Sequence, residues 1–144
     1  MPKITVRNLQ RKIPVNIVAL EKFAAKAVKL CLRLPKKRPT VLAKLPEVSI
    51  LMVSDRRMAS LHRQFLNERD PTDVITFQHG EIFISAETAR VHARGFGNTF
   101  ARELCLYIVH GLLHLNGYDD RDKAGVRRMR AVQERILVRA DGLK

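Results

Sequence analysis

The chain has 144 residues, a length that suits one domain with a core of its own. Apolar side chains make up 46% of it, which excludes global disorder. Its 27 lysines and arginines against 14 acids give a net charge of +13, and a polyanion is the natural partner of such a chain.

Residues 3–8 alternate as a short strand. After Pro14, Ile17, Leu20, Phe23, Ala24, Ala27 and Val28 recur on one helical face, with Lys22, Lys26, Lys29 and Arg33 on the other. Pro35, Pro39 and Pro46 punctuate a basic loop. The nearly continuous apolar run over 48–53 predicts a central strand buried on both faces. Ser54 or Asp55 can cap the next helix, whose inner face shows Met58, Leu61 and Phe65. Asp70, Pro71 and Thr72 read as a turn. Two short strands then flank Gln78, His79 and Gly80 as a hairpin. Helix resumes near Glu87, pauses at Gly95 and Gly97, and runs from about Asn98 to Asn116, where Gly117 stops it. A last helix over roughly 122–140 turns Val126, Met129, Val132, Ile136 and Ala140 inward. Arg127, Arg128, Arg130, Arg135 and Arg139 stay largely outside. This order predicts an α+β fold over 1–144 as a single domain, with one small mixed sheet of about four strands packed by about five helices.

The excess charge is unevenly placed. Residues 1–46 hold twelve basic side chains and one acid, and residues 121–144 hold eight and three. The middle of the chain is slightly acidic, so the basic ends are the expected polyanion contacts. The N-terminal stretch has no apolar run of a secretory signal. The longest apolar stretch, Leu104 to Leu115, is shorter than the about 20 residues of a membrane span and contains two histidines. Cys31 and Cys105 form no CxxC pair and suit a reducing compartment. A soluble, cytoplasmic protein without a membrane partner is expected.

The chemistry concentrates in His110-Gly-Leu-Leu-His114-Leu-Asn-Gly117-Tyr-Asp-Asp120. Histidines four apart lie on one helical face, about 6 Å apart along the axis, so both rings can reach one metal. Gly117 permits a sharp turn that brings residue 120 back towards them, as in the His-x3-His-x2-Gly-x2-ligand pattern of zinc sites. A pair of satisfied core histidines is the competing reading. The zinc-protease motif H-E-x-x-H needs a glutamate where Gly111 stands, so a protease would lack its proton acceptor.

This segment resembles the signature H-G-x-L-H-L-x-G-Y-D-H of the YbeY family, the single-strand-specific endoribonucleases of bacterial rRNA maturation. It departs only at the last position. Asp70 to Phe77 (DPTDVITF) is similar to the family's P-T-D-V-L-S-F segment, and Gly80-Glu81-Ile82 to its G-D-I. The resemblance implies a zincin-like fold and one Zn2+ per chain held by His110, His114 and Asp120. His110 and His114 would also be the catalytic residues, with a metal-activated water attacking a phosphodiester. It further implies single-stranded RNA or rRNA and the small ribosomal subunit as partners, and a role in rRNA processing and ribosome quality control.

Three departures stand out. Asp120 replaces the third histidine, and a carboxylate is a sound zinc ligand. Leu66 stands where the family carries an arginine towards the RNA phosphate, and Arg63 or Arg69 can substitute. Gln78 replaces a usual proline in a short hairpin loop. Thr72 and Asp73 are expected to line the cleft, and Arg127, Arg128 and Arg135 to contact RNA. Asp119 either steadies a histidine or is a plain turn acid. His62, His79 and His92 read as ordinary surface or loop histidines, with His79 the spare ligand. The alternatives to a nuclease are an RNA- or ribosome-binding factor that keeps the metal without cleavage, favoured by Leu66, and a metallopeptidase, disfavoured by Gly111.

Overall fold

The computed structural model describes residues 1–66 and 73–141. One mixed sheet contains β1 (Lys3–Asn8), β2 (Glu47–Val53), β3 (Val74–Phe77) and β4 (Glu81–Ser85), in the order β1-β2-β4-β3. β1, β2 and β4 run parallel, and β3 closes one edge antiparallel to β4. Among the described residues six α-helices accompany the sheet: α1 (Ile17–Leu32), α2 (Val41–Lys44), α3 (Asp55–Leu61), α4 (Ala86–Phe96), α5 (Phe100–Leu115) and α6 (Lys123–Ala140). The α+β class and the four-stranded mixed sheet are as the sequence predicts, with one helix more.

β2 explains its own apolar run. It lies between two strands and is covered on both faces. Val48, Ile50 and Met52 join the main core with α1, α5 and α6, while Leu51 and Val53 join a smaller cluster with Met58, Leu61, Ile75 and Phe83. The hairpin turn abuts the start of β2. Gly80 has φ +107°, and a Cβ there would fall 2.6 Å from the Glu47 carbonyl oxygen, so only glycine fits.

Four local expectations are corrected. The basic loop contains α2, a single turn capped by Thr40, whose hydroxyl accepts from the Ala43 N–H. α3 widens into a π-turn over His62–Leu66, which buries His62 and leaves Phe65 57% exposed rather than on the inner face. Gly95 lies inside α4, and the helix ends only at Gly97. Val126 is half-buried, and Leu137 takes a core place instead. No described helix is long and apolar enough to cross a membrane.

Candidate metal centre

α5 carries the centre and is held at its C-terminal end by Asn116. The buried Asn116 amide donates to the Cys31 carbonyl at 2.8 Å, and its side-chain oxygen accepts from the Thr40 hydroxyl at 2.7 Å. That end is therefore pinned to α1 and α2. Gly117, at φ +90°, then turns the chain: its N–H bonds the His114 carbonyl and the Tyr118 N–H bonds the Leu113 carbonyl. Asp122 caps α6 by accepting from the Gly125 N–H at 2.6 Å. Between these fixed points the chain brings Asp120 back over α5.

His110 and His114 face each other with their Nε2 atoms 3.0 Å apart. Asp120 Oδ2 lies 3.7 Å from His110 Nε2 and 3.9 Å from His114 Nε2. Among the described residues, these three are the group of His, Cys, Asp and Glu side chains arranged to hold a metal ion. Both outer nitrogens have partners. His110 Nδ1 donates to Gln133 Oε1 of α6 at 2.9 Å, and His114 Nδ1 to the Tyr118 carbonyl at 3.1 Å. With Nδ1 carrying the proton, each Nε2 offers a lone pair to the same point. Burial, and then the neighbouring His114, push the His110 pKa down, which keeps that lone pair available.

The donor set fits a zinc ion. Ligand atoms about 2.0–2.2 Å from a tetrahedral zinc stand roughly 3.4 Å from one another, and the three separations bracket that value. The Nδ1 partners are the orienting contacts such ligands require. Gly111 shows why no glutamate stands beside them. A Cβ there would lie 2.8 Å from both Ile82 Cδ1 and Ile82 Cγ2, because α5 rests directly on β4 at that point.

The remaining predicted residues divide. Asp73, just before β3, is close enough for its charge to raise the His110 pKa against burial. Arg63 is exposed on the π-turn. Arg69 and Thr72 lie outside the described residues, as do the turn at 70–72 and the Leu66 side chain. Around α6, Arg127 points about 100° away from Arg128, whereas Arg128 and Arg135, seven residues apart, share a face. Arg127 lines a groove with Asp120, Arg121 and Lys123. Arg128 pushes the Lys36 pKa down, second to burial, and Lys36 lies 3.5 Å over the Tyr118 ring. Arg135 and Arg139 line a separate groove with Arg33, between α1 and α6.

Asp119 is a turn acid that accepts from the Arg121 N–H. His79 pairs with Glu81 at 2.5 Å and stacks on Phe77, apart from the ligand group. His92 is not an ordinary surface histidine, because it bonds Tyr107 and Asp73. Sequence reasoning also missed Gln133 and Tyr107. Gln133 had a signal, as an uncharged polar residue beside the inner stripe of α6. Tyr107 had one in its place three residues before His110.

The fold and these side chains define an α+β protein with a helix-borne histidine pair, closed by a carboxylate from the returning turn. Residues 5–141 match the Endoribonuclease YbeY family, and the chain belongs to that family. It is 34% identical over 141 residues to the Endoribonuclease YbeY of Carboxydothermus hydrogenoformans, covering 92% of this chain and 93% of that one. It is 40% identical over 107 residues to that of Anaeromyxobacter dehalogenans, covering 67% of this chain and 55% of the relative's length. The chain thus spans only about half of some relatives. The solution structure of TM1509 from Thermotoga maritima matches with a TM-score of 0.65 and 26% identity, over 95% of this chain and 88% of that one.

Proposed function

We propose that this protein is a zinc-dependent, single-strand-specific endoribonuclease that acts in rRNA maturation and ribosome quality control. Its substrate would be single-stranded rRNA of the small ribosomal subunit, in the cytoplasm. Family membership supports phosphodiester cleavage in RNA. The convergence of His110 Nε2, His114 Nε2 and Asp120 Oδ2, with both histidines held through Nδ1, carries the metal assignment.

A zinc ion bound there would supply Lewis acidity towards the phosphoryl oxygens and lower the pKa of a water. Gln133 and the Tyr118 carbonyl fix the tautomer and tilt of the two rings. Arg121, Lys123 and Arg127 offer cations beside Asp120 for the phosphates on one flank. Asp73 approaches from the β3 side. Thr72, its neighbour in the chain, would join it in contacting substrate, and Arg63 or Arg69 would stand in for the family arginine replaced by Leu66. Arg128 and Arg135 would hold RNA beyond the cleft.

Leu66 and Asp120 favour one second reading, an RNA-binding factor that keeps the metal and no longer cuts. A cleavage assay decides. Zinc-loaded protein should cut single-stranded RNA faster than duplex RNA of the same sequence, and chelation should abolish the cut. Tight RNA binding without cleavage would establish the binding factor instead. Metal-dependent peptide hydrolysis without RNA cleavage would return the metallopeptidase.

A further inference from the structure

Phosphodiester hydrolysis needs a proton for the departing oxygen as well as a nucleophile. The three ligand side chains are committed, and Gly111 leaves no carboxylate beside them. One turn earlier on α5 a second ionisable cluster is built. The Tyr107 hydroxyl, only 7% exposed as a residue, donates to Asp73 Oδ2 at 3.2 Å and lies 3.0 Å from His92 Nδ1. His92 Nδ1 is also 3.0 Å from Asp73 Oδ2. The single Tyr107 proton goes to Asp73, so the hydrogen on Nδ1 serves both contacts and the ring carries its donor on that side.

His92 Nε2 lies on the opposite edge of the ring. No described side chain bonds it, and the His92 side chain is 40% exposed. Carboxylate behind and nitrogen in front is the arrangement of a histidine that moves a proton. Tyr107 stands three residues before His110, on the same stripe of α5 as the candidate ligands. The groups facing His92 are Asp73 from the segment before β3 and Tyr107 from α5, with Glu103 behind Tyr107 and the uncharged Phe96 ring edge-on from α4. Burial, Asp73 and Glu103 push the Tyr107 pKa up, so its hydroxyl stays a donor.

We propose that His92 is a further catalytic residue, the general acid that protonates the departing ribose oxygen, with Asp73 and Tyr107 as its positioning residues. The proposal rests on the endoribonuclease reading. As a water oxygen bonds to phosphorus, the ester P–O bond breaks and its electron pair stays with the ribose oxygen. That oxygen takes the proton from His92 Nε2, and the surplus proton of the attacking water passes to solvent. Asp73 Oδ2, 3.0 Å from Nδ1, holds the ring in place during the transfer. Solvent then reprotonates Nε2.

The test compares RNA with an ordinary scissile linkage and RNA with sulfur in place of either bridging oxygen, since a thiolate leaves without protonation. His92→Gln should cut the ordinary linkage about 100-fold more slowly than wild type, the low end of general acid effects. It should cut one of the sulfur linkages within a few-fold of wild type, with zinc content and RNA affinity unchanged. Tyr107→Phe, which keeps the ring packing, should show the same selective loss to a smaller degree and serves if His92→Gln does not fold. Equal losses on all three linkages in a variant of wild-type circular dichroism, or no loss on the ordinary linkage, would overturn the proposal. Wild-type protein that cuts neither linkage would overturn the endoribonuclease reading and this proposal with it.

Discussion

Gln133 is the side chain through which α6 reaches the candidate metal centre. It bonds His110 Nδ1 and so fixes which nitrogen faces Asp120. Gln133→Leu should weaken zinc binding 10–100-fold, the usual effect of losing such a contact, as read by competition with a chromophoric chelator. Unchanged affinity would mean that the His110 ring is held by packing alone. The three candidate ligands were legible as a group in the sequence, because helical spacing and a glycine turn bring them together. His92 was not, because its role depends on which elements pack together, and the uncharged place of Gln133 beside the inner stripe of α6 was a signal without a partner until α6 packed on α5. The cysteines give a cleaner reading. Burial pushes both the Cys31 and Cys105 thiols from 9.0 to about 12. A folded-state pKa above the unfolded one contributes stability that is complete below 9.0 and is lost as the pH rises towards about 12. Native protein should therefore resist alkylation near pH 8 and label quickly only in denaturant. Fast native labelling would show that the core opens around α1 and α5.

α5 is the element on which fold and site meet, and Gly111 marks a close approach to the sheet. Alanine gains about 1 kcal/mol of helix propensity over glycine. The added Cβ, however, would press on Ile82, which is fully buried, at 2.8 Å. Overpacking of this kind costs about 1–3 kcal/mol, so Gly111→Ala should lower the melting temperature, and adding Ile82→Val should recover part of it. A higher melting temperature for the single variant would refute the tight contact. Strong periodicity made α1, α5, α6 and β2 readable from the sequence. The short α2 rests on one Thr40 cap within a proline-rich stretch, and the π-turn after α3 follows from packing that leaves Phe65 against Phe77. Neither leaves a periodic trace.

Over the whole molecule the positive charge is split by α6 into two flanks. Arg121, Lys123 and Arg127 line a groove with Asp120, whereas Arg33, Arg135 and Arg139 line the groove between α1 and α6. The basic ends were visible in the sequence, but their division needed the pairing of α1 with α6. Replacing Arg33, Arg135 and Arg139 by glutamine should lower the salt dependence of single-stranded RNA binding by about two units of slope, at about 0.7 per phosphate contact. The cleavage rate at saturating RNA should not change. An unchanged slope would make that groove solvated surface. The claim on which the rest depends is that His110, His114 and Asp120 hold one metal ion together. Zinc content per folded chain, measured for wild type and for His110→Ala, His114→Ala and Asp120→Ala, tests it most directly. The account predicts about one zinc in wild type and a large loss in each variant, with far-UV circular dichroism unchanged. Zinc retained at the wild-type level in all three variants would contradict it.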